Sequence, residues 1–124
     1  MPVTGLNHYN IKAPLPLLEE VRDFYCTVLG LTQGYKPPPA NSGFWLYAGD
    51  SPILHLSVDD AAAPFTNVTT VDHIAFTCVD FAAMRGKLDA MAVDYSFSQR
   101  ADGGPSQIFL RDLVGNGLEL NFRE

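Results

Sequence analysis

Val71-Asp72-His73-Ile74-Ala75-Phe76-Thr77-Cys78-Val79 reads as a strand, and Asp80 directly after it is an N-cap residue for a helix. That helix is expected to run to about Met91, with Phe81, Met84, Leu88 and Met91 as its buried stripe. Beyond it, residues 95–99 are strand-like and 101–106 form a loop around Gly103-Gly104. Residues 107–111 are a strand, 112–117 a turn and 118–122 the last strand. The same order already stands once upstream. Leu6-Asn7-His8-Tyr9-Asn10-Ile11-Lys12 alternates, with Tyr9 and Ile11 on one face and His8 and Asn10 on the other. Pro14 and Pro16 end that strand and open a helix, since proline is tolerated in a first turn. Leu17, Leu18, Val21, Phe24, Tyr25, Val28 and Leu29 recur there at helical spacing, with Glu19, Glu20 and Asp23 outside, until Gly30 stops it. A Gly- and Pro-rich connector from Gly34 to Gly43 reads as an exposed loop. Residues 44–48 and 52–58 are then two strands joined at Gly49-Asp50. Each half is strand, helix, then two or three strands. The expectation is one α+β domain of two modules, 1–58 and 71–124, joined by an Ala- and Thr-rich linker at 59–70.

The repeat organises the chemistry. All 3 histidines fall at repeat-related places. His8 and His73 lie in the first strands of their halves, while His55, between Leu54 and Leu56, matches Glu119, between Leu118 and Leu120. Neighbours at odd offsets are mostly apolar and should pack under the helices. The four polar groups then belong to the opposite, concave face of the sheet. A lone histidine in a strand is more often a satisfied core or surface residue than a ligand, and a Glu between leucines is usually solvated alternation. Three histidines and a carboxylate obeying one repeat are harder to explain that way. Imidazole nitrogens with a carboxylate oxygen suit one divalent ion: Zn, Ni, Mn, Co or Fe(II). Around these residues, Asn10, Gln107 and Asn121 are candidates for holding the ligands or a substrate. Trp45 and Tyr47 alternate on a strand beside the cleft, where lining a substrate pocket is one reading and core packing the expected one. Arg111-Asp112 is expected to stabilise the turn before Gly115-Asn116-Gly117.

Composition narrows the partners. A chain of 124 residues with 47% hydrophobic and 18% charged residues buries a core without disulfide or zinc staples. A net charge of −6, with Arg100, Arg111 and Arg123 far apart, offers no patch for phosphates, so nucleic acid is not expected as a partner. Nothing approaches the ~20 apolar residues of a membrane helix. The segment from Met1 to Gly5 lacks the charged and apolar regions of a secretory signal. Cys26 and Cys78, in apolar-periodic segments, are expected to be reduced and buried, and a cytoplasmic protein fits these features.

The segments Leu6-Asn7-His8-Tyr9, Phe24-Tyr25-Cys26-Thr27-Val28-Leu29-Gly30-Leu31, Val71-Asp72-His73-Ile74-Ala75-Phe76 and Arg111-Asp112 with Gly115-Asn116 and Glu119-Leu120 resemble the vicinal oxygen chelate superfamily. That superfamily includes glyoxalase I, fosfomycin-resistance proteins, extradiol dioxygenases and methylmalonyl-CoA epimerase. The resemblance implies two paired βαβββ modules forming a curved mixed-sheet cleft, and a homodimer. It implies His8, His73 and Glu119 as metal ligands, with His55 where glyoxalase I has a glutamate. Either His55 is a fourth ligand or it works as an acid/base beside Glu119. The implied function is a metal-dependent lyase, isomerase or extradiol-type dioxygenase that chelates two adjacent oxygens of a small substrate. The alternative is a small-molecule binding or sequestering protein of the resistance type, without turnover. Fosfomycin resistance fits less well, because its phosphonate-binding basic residues lack clear counterparts here. Phe109 also departs from the dioxygenase pattern, which has a tyrosine upstream of the final Glu.

Overall fold

The structure, a computed structural model, describes residues 5–62 and 71–123. The chain divides into two compact units, Met1–Pro64 and Phe65–Glu124. In the first, β1 (Tyr9–Ala13) leads into α1 (Leu15–Val28), then β2 (Thr32–Gly34), β3 (Gly43–Ala48) and β4 (Ser51–Val58). These strands form one sheet in the order β1-β4-β3-β2. The second repeats the plan with β5 (His73–Cys78), α2 (Phe81–Ala90), β6 (Ser96–Ser98), β7 (Ser106–Arg111) and β8 (Gly117–Phe122), ordered β5-β8-β7-β6. Each unit is a βαβββ module. Its first and last strands are parallel, and its other pairs are antiparallel.

Each element has its cause in the chain. Pro14 caps α1 and Pro16 sits in its first turn, where a missing N–H costs nothing. Leu18, Val21, Tyr25 and Val28, spaced three and four apart, are the residues α1 buries. They belong with Ile11, Ala13, Leu46, Leu54 and Leu56 in the apolar core of module 1. Asp80 caps α2 by accepting the Ala83 N–H at 3.0 Å. The α2 stripe is narrower than its periodicity suggests. Phe81 and Leu88 are buried, Met84 is half-buried, and Met91, past the last helical turn, is exposed. Phe81 meets Phe122 edge to face at 5.5 Å, over a core of Ile108, Leu110, Leu118 and Leu120.

Several differences from the sequence reading concern edges. β2 lies where the connector begins. It is three residues long and wholly exposed, so it has no apolar alternation to show. His8 stands one residue before β1 and not within it. Of the expected linker, residues 63–70 lie outside the described residues, while the Asp59 N–H extends the sheet by donating to the Ala13 carbonyl at 2.9 Å. Cys26 and Cys78 are both free and half-buried, and burial raises both thiols above their ordinary pKa. Among the described residues no helix is long and apolar enough to cross a membrane.

Candidate metal centre

In module 1 the site grows from the cross-strand register. Asn10 on β1, His55 on β4 and Trp45 on β3 lie in one row, so they share a face. Leu54 and Leu56, either side of His55, turn into the core. The His8 ring lies against the His55 imidazole, with centroids 3.8 Å apart and planes 17° off parallel. Trp45 is half-buried and stacks on His55 at 3.9 Å, so it serves this row and not the general core. His55 is 9% exposed. Burial, and secondarily the nearby His8, lowers its pKa, so the ring is held neutral; a backbone hydrogen bond to Pro52 acts weakly the other way. Its Nε2 is buried and has no hydrogen-bond partner among the described residues. Leaving a buried acceptor unsatisfied costs about 1–3 kcal/mol, so the chemistry of this lone pair fits a Lewis acid. Asn10, by contrast, donates its side-chain amide to Ser57 Oγ at 2.8 Å.

Module 2 sets Glu119 where module 1 has His55. Glu119 lies opposite Ala75 on β5 and Phe109 on β7, as His55 lies opposite Asn10 and Trp45. It is 8% exposed. Its Oε2 accepts from Asn121 Nδ2 at 2.9 Å and from Gln107 Nε2 at 3.3 Å, which hold the carboxyl below its ordinary range and leave it ionised. The other oxygen, Oε1, stands 3.3 Å from His73 Nε2. Gly117 faces His73 across the ladder, and a Cβ there would overlap the Asp72 carbonyl. Glycine is what lets β8 pass the His73 backbone so closely.

Two further residues belong to the site. His73 Nδ1–H donates to Asp72 Oδ2 at 2.8 Å, and His8 Nδ1–H donates to Asn7 Oδ1 at 2.7 Å. Each fixes the tautomer that leaves Nε2 as the donor, the arrangement found around metal-bound imidazoles. The sequence carried the signal, an acceptor immediately before the histidine in both halves, but reasoning by ligand type passed over it. Arg111 and Asp112 do tie the turn as expected. Arg111 Nη1 donates to the Gly115 carbonyl, and buried Asp112 accepts from the N–H groups of Val114 and Asn116. Within each module, among the described residues, the candidate ligands stand as a pair, and no group of three or more His, Cys, Asp or Glu is gathered for a metal.

No family model matches the chain. A curated relative, Glyoxylase I 4 from Arabidopsis thaliana, is 28% identical over 125 residues, covering 95% of this chain and 70% of its own. A glyoxalase/dioxygenase from Nostoc punctiforme has a solved structure with a TM-score of 0.79 at 16% identity, covering 99% of this chain and 93% of that one. The fosfomycin resistance protein FosX of Listeria monocytogenes, solved as an E126Q mutant with Mn(II) and 1S,2S-dihydroxypropylphosphonic acid, has a TM-score of 0.68 at 17% identity over 96% of this chain and 90% of its own. The shared architecture is the twofold βαβββ plan. The chain has the fold of these glyoxalase/dioxygenase-like structures. Within this fold, the chain offers imidazole Nε2 atoms and one ionised carboxylate oxygen. Two donors each about 2.1 Å from one ion stand roughly 3.0–3.5 Å apart at octahedral or tetrahedral angles. The His73 Nε2 to Glu119 Oε1 separation of 3.3 Å fits that edge, and the buried Nε2 of His55, with no hydrogen-bond partner among the described residues, fits the same chemistry.

Protonation gives a testable signature without metal. The Asp72 hydrogen bond, then Glu119, raises the His73 pKa. That contribution to stability is full below the unfolded value of about 6.5 and is lost as pH rises through the folded value. His55 is shifted the other way, so its contribution is lost as pH falls below about 6.5. The metal-free protein is therefore expected to be most stable near neutrality, slightly on the acid side. Thermal melts across pH check this. The alkaline decline should vanish in His73→Ala and the acid decline should flatten in His55→Ala; slopes unchanged in both variants would sink the assignment.

Proposed function

We propose that the chain is a divalent-metal-dependent enzyme of the glyoxalase/dioxygenase type, with His8, His55, His73 and Glu119 around one ion. The observation that carries this is the His73 Nε2 and Glu119 Oε1 edge, whose opposite sides are fixed by Asp72 and by Asn121 with Gln107. The FosX complex, with Mn(II) and a ligand bearing adjacent hydroxyls, supports a vicinal-oxygen substrate on this fold. A bound metal ion supplies Lewis-acid polarisation of two adjacent substrate oxygens. The chain supplies the rest. Glu119, kept ionised and held through Oε2, presents Oε1 both as donor and as the acceptor for a substrate proton. The neutral His55 Nε2 adds a further donor from a buried position. Each module supplies one pair of these donors, His8 with His55 and His73 with Glu119.

Elemental analysis of the purified protein tests the reading first. Stoichiometric Zn, Ni, Mn, Co or Fe(II) is expected, and failure to bind any of them would overturn it. Turnover then separates the branches. Oxygen consumption with a catechol at an Fe(II) site selects the dioxygenase branch, and proton exchange or isomerisation under nitrogen selects the glyoxalase or epimerase branch. A metal-loaded protein that binds vicinal-oxygen compounds but transforms none of them would establish the sequestering alternative instead.

A further inference from the structure

Alternation along a strand decides which face a histidine occupies, but not where its nitrogen points. The imidazole torsion is broad, so something must fix it. In module 2 the equivalent ligand, Glu119, is held by the amides of Gln107 and Asn121, which pair with each other across β7 and β8. In module 1 the corresponding ladder pair is Gly43 and Ser57. Glycine has no side chain to offer, and Ser57 Oγ already accepts from Asn10. His55 has no side-chain amide to hold it, and its backbone hydrogen bond to Pro52 forms only while the ring is kept in place. Trp45, the chain's single tryptophan, stands directly across the ladder from His55, with the two rings 3.9 Å apart and 7° from parallel. The His8 ring packs at 3.8 Å, and two rings at that distance cannot share one face of an imidazole, so His55 is clamped on both sides.

We propose that Trp45 is a positioning residue that, with His8, fixes the His55 ring so that Nε2 is presented as a metal donor. The donor role rests on the metal-centre reading above; the fixing of the ring does not. The two modules thus solve one problem by different means, amide hydrogen bonds for a carboxylate and a flat indole for an imidazole.

Two readouts on the full chain test the proposal. The first is nitrogen-15 NMR of the histidine rings in the metal-free protein, where three histidines give a resolvable set. His55 ring protons are expected upfield of those of His73, and neutral His55 is expected as a single tautomer with Nε2 unprotonated. Trp45→Leu should release the upfield shift and mix the tautomers, whereas Trp45→Phe should keep both features. The second is Co(II) affinity, expected to weaken about 10–100-fold in Trp45→Leu, the range for contacts that orient a ligand, and to stay close to native in Trp45→Phe. Native His55 signals without an upfield shift would overturn the proposal. So would a Trp45→Leu protein with native tautomer and native affinity, or a Trp45→Phe protein as impaired as the leucine variant. Should the leucine variant fail to fold by circular dichroism, the native spectrum and the phenylalanine variant decide. A native protein that binds no Co(II) would remove the metal-centre reading, and the tautomer measurement would then decide the ring-fixing role alone.

Discussion

Replacing His73 with alanine is expected to abolish stoichiometric metal binding while leaving the fold in place. One of the two donors on the 3.3 Å edge disappears, so Co(II) or Zn affinity should fall by more than about 100-fold, beyond the usual effect of residues that merely orient a ligand. The fold survives because no buried charge is orphaned: Glu119 still accepts from Gln107 and Asn121, and Asp72 is largely exposed. The backbone pairing of His73 with Gly117 does not depend on the side chain. At a free metal concentration 100 times Kd the native protein gains about 2.7 kcal/mol of stability, and the variant should gain none. Thermal melts with and without metal, next to far-UV circular dichroism, make the comparison. Unchanged metal occupancy would refute the site.

The second large effect is on stability. Gly43 opens β3 at φ 141, a conformation that side chains rarely adopt, and a Cβ there would overlap the Leu56 carbonyl oxygen on β4. Gly43→Ala therefore combines backbone strain with a clash against another backbone, which cannot rotate aside. The expected cost is about 3 kcal/mol or more, a large share of the roughly 5–15 kcal/mol that holds an ordinary domain folded. Urea titration should show the midpoint falling; a native midpoint would mean that β3 can move off Leu56 without penalty. Because Trp45 and His55 face each other two residues further along, the same displacement should disturb the stack.

The broad architecture was legible because both apolar patterns are strong. Leu54/Leu56 and Leu118/Leu120 mark the inner strands, and Leu18, Val21, Tyr25 and Val28 mark α1. What escaped was carried by features without a hydrophobic period. β2 has no buried residue, and Met91 lies beyond the end of α2, where periodicity no longer predicts contact. The stack of Trp45 on His55 was hidden by a register shift. Ala48 pairs with Ser51 but Leu46 pairs with Leu54, so an irregularity between them places Trp45 across from His55 instead of Leu54. No count outward from the Gly49-Asp50 turn would have found it. Asn7 and Asp72 were visible in principle, since both stand immediately before a histidine. Their meaning came only with the hydrogen bonds to Nδ1.

The parallel ladders have a consequence for the order of assembly. β3 and β4, like β7 and β8, are neighbours in sequence and close as local hairpins. β1 must instead find β4, and β5 must find β8, across a helix and two other strands. Closing such separations is the slow, entropically costly part of folding. His8 and His55 meet across the first of these ladders, and His73 and Glu119 across the second. A chain with hairpins formed but ladders open has no ligand pair at all. An ion bound as proposed would have nothing to grip in a half-folded module, so its binding would select chains in which the longest-range pairing is already complete.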